Sequence, residues 1–520
     1  MARKGAVAAG HPKTAEAARI ILDEGGNAFD AVLAALCAAC VAEPILASLG
    51  GGGFLLAGGK DRKPLLYDFF TQTPRTKRPE AEIDLFPIVA DFGTAQQEFH
   101  IGMGSIATPG VVRGIFTAHQ DLGSMPLQRI VEPAVKLAKE GVELNQLQAY
   151  ILDIVGKIYI SNATCRNYFT TSGDAASLLK QGDVLRLPEF ADALEMIAIE
   201  GDDLFYRGEI ARAITGDCLG GGGNLTMDDF ARYAVERRTP LSVDLETAQL
   251  QTNPPPSSGG LLIAFALELL KGTKLKNDGF GSARHLEVLA RVMEQTNKAR
   301  VDSQLHEREA EEVSQTLLNP VFIDQYRNNV LGRPAANRGT THISVIDETG
   351  NAAALTVSNG EGSAYMAPGT GIMLNNMLGE EDINPHGFNR WPLNTRMCSM
   401  MAPSLLMERD GTITALGSGG SNRIRTAILQ TLVNYLEFGL PIDEAVSRPR
   451  IHFEGGVLSI EPGFHPEAYE NLLETVPEYK LWDQINLFFG GVHAVARDGR
   501  GNIYSGYGDP RRGGVALLAG

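Results

Sequence analysis

The chain has 520 residues, of which 44% are apolar and 21% charged, and these fractions are ordinary for a globular protein. At this length one hydrophobic core usually stops growing, so the chain forms either two domains or one large layered domain. Its 46 Lys and Arg against 62 Asp and Glu give a formal net charge of −16. This charge argues against a sequence-independent nucleic-acid binder, because phosphate recognition needs a cationic surface.

The cysteines are few and odd in number, which does not indicate a disulfide framework and favours a reducing compartment. They are Cys37, Cys40, Cys165, Cys218 and Cys398. Cys37 and Cys40 lie in an alanine-rich apolar run without a second pair or a nearby histidine, so we predict a packed helix there. The sequence implies no metal and no cofactor.

The N-terminal apolar run is too short for a signal peptide, and no apolar stretch is long enough to span a bilayer. We therefore expect a cytoplasmic protein without a membrane contact. A periplasmic or secreted location stays open if a signal segment has been removed.

In chain order, the first elements are two helices, at Thr14–Leu22 and Ala28–Val41, separated by Gly25-Gly26. Apolar residues surround the second helix, which predicts burial. The run Gly50 to Gly53 then leads into a strand. It lacks the sequence context of a Walker or Rossmann phosphate loop, so we interpret it as a site of close backbone packing.

Glycine and proline mark the next elements. Pro126 precedes a helix from about 128 to 140, and Gly220 to Gly223 predicts a surface loop. Three prolines at 254–256 exclude a helix up to Ser257. Further helices are then predicted at about Leu261–Leu270, Ala283–Ala299 and Asn422–Tyr435.

A hairpin follows Asn337. Ile343 and Val345 alternate with polar residues, the segment 347–351 forms a turn, and Ala352–Val357 returns as a second strand. Together with strands near the C-terminus, these elements predict mixed α/β or α+β layering. By itself, Thr340-Thr341 at the strand start is more often a β-branched pair than a functional one.

Amide hydrolysis needs a nucleophile, a base with a pKa near neutrality and donors for the developing oxyanion. Cleavage of the Gly339–Thr340 bond would free an α-amine of pKa about 7.7–8.0, which could activate the hydroxyl of Thr340. Gly339 has no side chain to block attack on its carbonyl. The glycines from Gly417 onward precede a helix and could supply N–H donors, although such a segment by itself is more often a flexible N-cap.

Several motifs occur in an order that resembles the γ-glutamyltransferase family of N-terminal nucleophile hydrolases. The resemblance runs from about residue 5 to the C-terminus. The motifs are Gly26-Asn-Ala-Phe-Asp-Ala31, Glu43-Pro44 leading to Gly50-Gly-Gly-Gly-Phe54, Pro254-Pro-Pro-Ser-Ser-Gly-Gly260, Thr340-Thr-His342, Leu374-Asn-Asn376 and Gly419-Gly-Ser421.

The resemblance implies an α+β fold, a four-layer αββα sandwich. It also implies a proenzyme that cleaves itself into a large subunit of residues 1–339 and a small subunit of residues 340–520, which stay associated. Homo-oligomers are compatible with it. The implied partner is a small γ-glutamyl or acyl-amide substrate.

By the same resemblance, Thr340 is the nucleophile and Gly419 and Gly420 supply the oxyanion N–H groups. Ser358 occupies the position of a hydroxyl that hydrogen-bonds the nucleophile. The substrate-binding residues implied are Asn359, Cys398 and Ser399, together with an acidic group from the run Glu380-Glu381-Asp382, of which Glu381 and Asp382 are our first choices.

The sequence departs from the family at one contact. Members that use glutathione carry an Arg after Asp-Phe, but Phe70 follows Asp68-Phe69 here, and Arg75, Lys77 or Arg78 are the candidates to compensate. A lost arginine–carboxylate contact is worth about 1.5–3 kcal/mol, enough to change substrate preference. The segment from Asn384 to Met397 is also shorter than the family's lid loop, which predicts an open site.

Three functions remain from the sequence. The first is a self-processing threonine amidohydrolase or transpeptidase for γ-glutamyl amides. The second keeps this machinery but takes the substrates of cephalosporin or glutaryl acylases. The third is an unprocessed, non-catalytic binding protein.

Overall fold

The computed structural model describes residues 3–91, 96–171, 177–304, 310–327, 340–384, 387–501 and 503–520. The α-helices in these ranges are α1 (Pro12–Asp23), α2 (Ala28–Ala42), α3 (Val111–Leu122), α4 (Leu127–Glu140), α5 (Gln146–Ser161), α6 (Ala163–Phe169), α7 (Pro188–Glu200), α8 (Asp203–Tyr206), α9 (Glu209–Gly221), α10 (Met227–Ala231), α11 (Gly259–Leu270), α12 (Ala283–Asp302), α13 (Ala310–Leu317), α14 (Pro320–Arg327), α15 (Arg423–Leu436), α16 (Ile442–Ser447) and α17 (Glu470–Leu473).

The strands in the same ranges are β1 (Gly5–Ala9), β2 (Gly52–Gly59), β3 (Arg62–Phe69), β4 (Phe86–Asp91), β5 (Gln96–Ile101), β6 (Val142–Glu143), β7 (Val184–Leu185), β8 (Glu236–Arg238), β9 (Leu241–Asp244), β10 (Ala248–Thr252), β11 (Thr341–Asp347), β12 (Asn351–Ser358), β13 (Met366–Ala367), β14 (Ile372–Met373), β15 (Ser404–Glu408), β16 (Ile413–Gly419), β17 (Ile451–Glu454), β18 (Val457–Ile460), β19 (Glu478–Leu481), β20 (Gly491–Arg497), β21 (Tyr504–Gly508) and β22 (Val515–Ala519).

Two antiparallel sheets form the centre of the molecule. Counted over the described residues, the first sheet has seven strands in the order β22-β1-β11-β12-β2-β3-β8, and the second has six in the order β21-β20-β16-β15-β10-β9. The sheets pack face to face, with β11 and β12 against β16. The first sheet carries buried apolar residues on both of its faces, so it needs a further layer on the side away from the second sheet.

Helices supply the outer layers. Helices α1 and α2 pack on the first sheet, and α11 and α15 pack on the second. The result is the four-layer αββα sandwich of the N-terminal nucleophile hydrolases, as the sequence resemblance implied.

Strand residues alternate between the two sides of the first sheet. In β1, Val7 and Ala9 belong to the apolar core under α1 and α2, whereas Ala6 and Ala8 belong to the core between the sheets. In β11, Ile343 and Val345 lie in the first of these cores. Because successive side chains point to opposite faces, His342 and Ser344 point toward the second sheet.

Most predicted helices have the expected position. The predicted segments Thr14–Leu22, Ala28–Val41 and Ala283–Ala299 lie within α1, α2 and α12. Every residue of α2 is buried, Cys37 and Cys40 included, which confirms the packed helix. The surface loop predicted from Gly220 to Gly223 is wrong in part, because Gly220 and Gly221 end α9 and Gly223 is buried.

The Gly50 run makes the close backbone packing that we predicted. A Cβ on Gly50 would lie 2.3 Å from the carbonyl oxygen of Met373. None of the helices in the described part of the chain is long and apolar enough to cross a membrane.

Candidate active site

Thr340 lies at the entrance to β11, near the middle of the first sheet. Strand β11 is paired with β1 on one side and β12 on the other. Thr340 is 5% exposed. The Thr341 side chain points the other way, toward the helical layer, where its hydroxyl donates to Glu43 Oε2 at 2.7 Å. The strand is therefore anchored on both sides directly after Thr340.

Thr340 lines a pocket of about 380 Å3, a volume that includes the open mouth. The polar lining residues are Thr340, Ser358, Glu380, Ser399 and Ser421, and the apolar ones are Phe70, Met377, Ile383, Met400, Met401 and Ile424. None of these described lining residues is a lysine or an arginine. The pocket thus brings hydroxyl groups and one carboxyl group to an otherwise apolar surface.

The end of β16 lies directly against Thr340. A Cβ on Gly419 would come within 2.1 Å of the Thr340 carbonyl oxygen, so only glycine allows this approach. Gly420 follows with φ of 121°, and α15 begins at Arg423. The structure therefore places the backbone of the predicted oxyanion residues beside the predicted nucleophile.

Ser358 and Asn359 end the returning strand. Ser358 lines the pocket, and its Oγ accepts a hydrogen bond from Gly360 N at 3.1 Å. Asn359 is fully buried and is not among the lining residues. Neither amide atom of its side chain has a hydrogen-bond partner among the described residues. The structure therefore does not bring the predicted substrate-binding residue Asn359 to the pocket surface.

Ser399 is held in the pocket wall by the loop after the three prolines. Its carbonyl oxygen accepts from Ser257 Oγ at 2.7 Å and from Ser258 N at 2.9 Å. Cys398 faces that loop, with its Sγ 3.6 Å from Ser258 Oγ, and is not a lining residue. Of the two predicted carboxylate-binding positions, the structure brings only Ser399 to the pocket.

The acidic run contributes a different residue from our first choice. Glu380 is buried and lines the pocket, whereas Glu381 is exposed and does not. Asp382 lies in the short 3-10 helix Glu381–Ile383, of which only Ile383 is among the described lining residues. Glu380, the member of the run that the sequence left open, is therefore the acidic group at the site.

Phe70 forms part of the pocket wall and stacks on Phe54 with ring centroids 5.4 Å apart. The three basic residues that could have compensated for the missing arginine have other partners. Arg75 is 3.9 Å from Asp228, Lys77 lies over the Trp391 ring, and Arg78 Nε donates to the Gly223 carbonyl at 2.7 Å. None of the three lines the pocket.

His342 is buried between the two sheets and has a packing role. Its Nδ1 lies 2.8 Å from Thr356 Oγ1 and its Nε2 lies 2.9 Å from Ser344 Oγ. Burial, reinforced by nearby His493, holds the pKa of His342 well below its usual value. The neutral ring is fully hydrogen-bonded between the two sheets.

Two buried charged residues, Glu43 and Arg512, lie near Thr340, and their sequence positions did not predict this. Buried Glu43 accepts from the hydroxyls of Thr341 and Thr14, and burial raises its pKa despite these hydrogen bonds. Arg512 Nη1 donates to the Thr340 carbonyl oxygen at 3.1 Å. Glu43 belongs to the Glu43-Pro44 motif of the family resemblance. The pair Arg511-Arg512 lies in a polar turn that belongs to none of those motifs.

The family model for gamma-glutamyltranspeptidase matches residues 14–519. The chain belongs to this family. The glutathione hydrolase proenzyme of Escherichia coli strain K12 is 32% identical over 98% of this chain and 91% of that protein. The acylase ACY 1 proenzyme of Pseudomonas sp. strain V22 is 29% identical over 96% of this chain and 91% of that protein.

Among solved structures, the cephalosporin acylase from Bacillus halodurans superposes with a TM-score of 0.85. The superposition covers 99% of this chain and 96% of the acylase chain, at 24% sequence identity, and shows that the two proteins share a fold. Membership in the gamma-glutamyltranspeptidase family explains why the motifs converge. The Gly419 segment lies against Thr340, and the proline–serine loop holds Ser399 of the same pocket. Asn376 accepts from the backbone N–H of Glu361, just after the strand that ends at Ser358.

Proposed function

We propose that this family member is a self-processing N-terminal threonine hydrolase that cleaves γ-glutamyl amide bonds and passes the acyl group to water or to an amino acid. The observation that carries the proposal is the pocket around Thr340. There the hydroxyl groups of Ser358 and Ser399 and the carboxyl group of Glu380 meet next to the Gly419 backbone. The relatives named glutathione hydrolase proenzyme support the substrate class.

Maturation begins with attack of the Thr340 hydroxyl on the carbonyl of Gly339, a residue outside the described ranges. The acyl chain moves from nitrogen to oxygen, and hydrolysis of that ester separates residues 1–339 from 340–520. The new α-amine of Thr340, with a pKa of about 7.7–8.0 when unperturbed, then serves as the base for its own hydroxyl.

In turnover, Thr340 attacks the substrate amide and forms an acyl ester while the amine leaves. The N–H groups of Gly419 and Gly420 stabilise the tetrahedral oxyanion. Ser358 orients the nucleophile. Glu380 binds the α-ammonium of the glutamyl group, and Ser399 donates to its α-carboxylate.

One observation favours the acylase alternative. Phe70 occupies the pocket wall, and no lysine or arginine is found among the described lining residues, so a substrate carboxylate would lack a cationic partner there. An acyl group that carries no carboxylate, unlike γ-glutamyl and glutaryl, would suit this wall better. Two relatives named acylase ACY 1 proenzyme support an acylase as the second candidate.

Intact-mass analysis of the purified protein tests self-processing. We expect two fragments divided between Gly339 and Thr340, and a single chain in the Thr340→Ala variant. A wild-type chain that stays whole after long incubation would refute self-processing and favour the non-catalytic binding protein.

Comparison of a γ-glutamyl anilide with a glutaryl anilide separates the two enzymatic functions. The two substrates differ only in the α-ammonium, because a glutaryl group keeps the terminal carboxylate of the glutamyl group and lacks only its α-amino group. Higher kcat/KM for the γ-glutamyl anilide supports the proposal, and the reverse order supports the acylase.

A further inference from the structure

Arg512 is a buried cation directly behind the predicted nucleophile. It ends the short 3-10 helix Pro510–Arg512 and is 5% exposed. Its Nη1 donates to the Thr340 carbonyl oxygen at 3.1 Å. Removing a guanidinium from water is costly unless the surroundings compensate, so its position at this carbonyl calls for an explanation.

The Arg512 side chain lies in a channel walled by three glycines. A Cβ on Gly491 would come within 2.4 Å of Arg512 Cδ. Nearer the guanidinium, a Cβ on Gly419 would lie 3.2 Å from Nη1 and one on Gly420 would lie 3.1 Å from Nη2. Gly419 and Gly491 are register partners in β16 and β20, so the channel is built from neighbouring strands. One guanidinium thus contacts both Thr340 and the predicted oxyanion segment.

The charge of Arg512 persists at neutral pH. Burial lowers its pKa to about 10, and Asp509 and Glu43 oppose that shift. Glu43 in turn accepts from the hydroxyl of Thr341. The cation therefore holds the carbonyl of Thr340, and the carboxyl group of Glu43 holds the side chain of the next residue.

We propose that Arg512 is a positioning residue, which fixes the Thr340 peptide group against the Gly419–Gly420 backbone and so sets the distance between nucleophile and oxyanion donors. This inference rests on the proposed function, since it takes Thr340 as the nucleophile. The contact between Arg512 and the Thr340 carbonyl does not depend on cleavage. The cleaved bond joins Gly339 to the nitrogen of Thr340, whereas the carbonyl of Thr340 leads to Thr341.

Arg512 is not among the residues that line the pocket. Its loss should leave the substrate-binding surface intact and disturb only the approach of the reacting groups. Displacement of a nucleophile by about 1 Å costs on the order of 100-fold in rate. The expected signature is therefore a lower kcat at nearly constant KM.

The test compares Arg512→Met and Arg512→Lys with wild type, and uses Arg500→Met as a matched control at an exposed arginine of the same C-terminal region. Rates of γ-glutamyl and glutaryl anilide hydrolysis are normalised to the amount of cleaved small fragment determined by intact mass. Thermal melting of each variant is recorded in parallel.

For Arg512→Met we expect kcat to fall about 10- to 100-fold with KM within about threefold of wild type. Lysine keeps the charge and one donor, so Arg512→Lys should recover part of kcat. Arg500→Met should match wild type. If the methionine variant does not fold, the lysine variant decides the question. A kcat about three- to tenfold below wild type, at an unchanged melting temperature, then supports the inference.

A wild-type kcat in the folded methionine variant, or in the lysine variant where only that one folds, overturns the inference. So does a loss that falls mainly on KM, because that would show damage to the pocket itself. A wild type that neither cleaves itself nor hydrolyses either anilide refutes the proposed function first, and is thereby distinguished from a failure of Arg512 alone.

Discussion

At the scale of single residues, substrate choice depends on which charges reach the pocket. Glu380 lines it and Glu381, its neighbour, is exposed. Phe70 removes a cationic contact that the resemblance led us to look for. The pocket therefore offers a partner for an ammonium group and only hydroxyl groups for a carboxylate.

This arrangement predicts the effect of Glu380→Gln. The variant keeps the shape but loses the charge, so kcat/KM for a γ-glutamyl anilide should fall by at least about tenfold, the value of a charge-assisted hydrogen bond. A glutaryl anilide, which has no α-ammonium, should be affected by less than about threefold. Steady-state kinetics on both substrates measure the difference.

The neighbouring substitution Glu381→Gln discriminates between the two carboxyl groups. If it causes the selective loss and Glu380→Gln does not, the acidic contact belongs to Glu381, as our sequence analysis first assigned it.

At the scale of elements, the distance between the two sheets is set by the contact between the His342 ring and Gly417. Gly417 in β16 faces His342 in β11, and a Cβ on Gly417 would lie 2.3 Å from His342 Cε1. The ring cannot swing aside without breaking its hydrogen bonds to Thr356 and Ser344. The glycine thus lets β16 approach closely enough to bring Gly419 beside Thr340.

We therefore expect Gly417→Ala to lower the free energy of unfolding by about 1–3 kcal/mol, the usual cost of overpacking, and to lower kcat as well. Gly216→Ala is the opposite control. Gly216 lies in the exposed face of α9 with nothing within 4 Å of its Cβ position, so alanine should stabilise the helix by about 0.5–1 kcal/mol. Denaturant unfolding of both variants measures the contrast, and equal stabilities would contradict the packing argument.

At the scale of the whole molecule, the proposed cleavage point lies inside the fold rather than between domains. Strand β1, from the part before Thr340, pairs with β11 and β22 from the part after it. Across the same boundary, β2 pairs with β12, and in the second sheet β10 pairs with β15. Both sheets are thus shared between the two proposed subunits.

Because of these shared sheets, fragments 1–339 and 340–520 should copurify through a tag on either terminus and elute together in size-exclusion chromatography. They should separate only in denaturant, since separation exposes sheet edges and core residues. Recovery of one fragment without the other under native conditions would contradict this prediction.

Buried histidines make the stability of the whole fold depend on pH. Burial lowers the pKa of His11, His285, His452 and His493 to about 4. In the unfolded chain these rings titrate near 6.5, so between pH 6.5 and about 4 the unfolded state binds more protons. The stability that neutral rings confer is therefore complete above pH 6.5 and declines as the pH falls toward 4.

Each such histidine contributes a slope of up to about 1.4 kcal/mol per pH unit in this window. Denaturant titrations of the uncleaved Thr340→Ala chain at pH 7, 6 and 5 should show the decline. His493→Gln should reduce the slope, whereas a substitution at exposed His465 should not change it. A free energy of unfolding that is constant from pH 7 to 5 would refute this explanation.

Local patterns in the sequence determined much of this protein. Residue periodicity specified α1, α2 and α12, and the alternation after Thr340 specified the hairpin, because these elements depend on neighbours within a few residues. The ordered motifs identified the family and directed attention to Thr340. The predictions for Gly419, Ser358 and Ser399 concern positions that the structure brings together at one site.

Tertiary structure alone decided which residues share that site. Glu380 precedes a 3-10 helix and Glu381 begins it, and only the folded structure shows which of the two is at the pocket. The placement of Arg512 depends on the pairing of β16 with β20, which no local pattern encodes. Thr340 and Arg512 are 172 positions apart in the chain, and they meet because β22, the strand after Arg512, lies in the same sheet as β11. Long-range packing of this kind is invisible to spacing and composition, and it converts a strand-initial threonine into a candidate nucleophile held against its oxyanion donors.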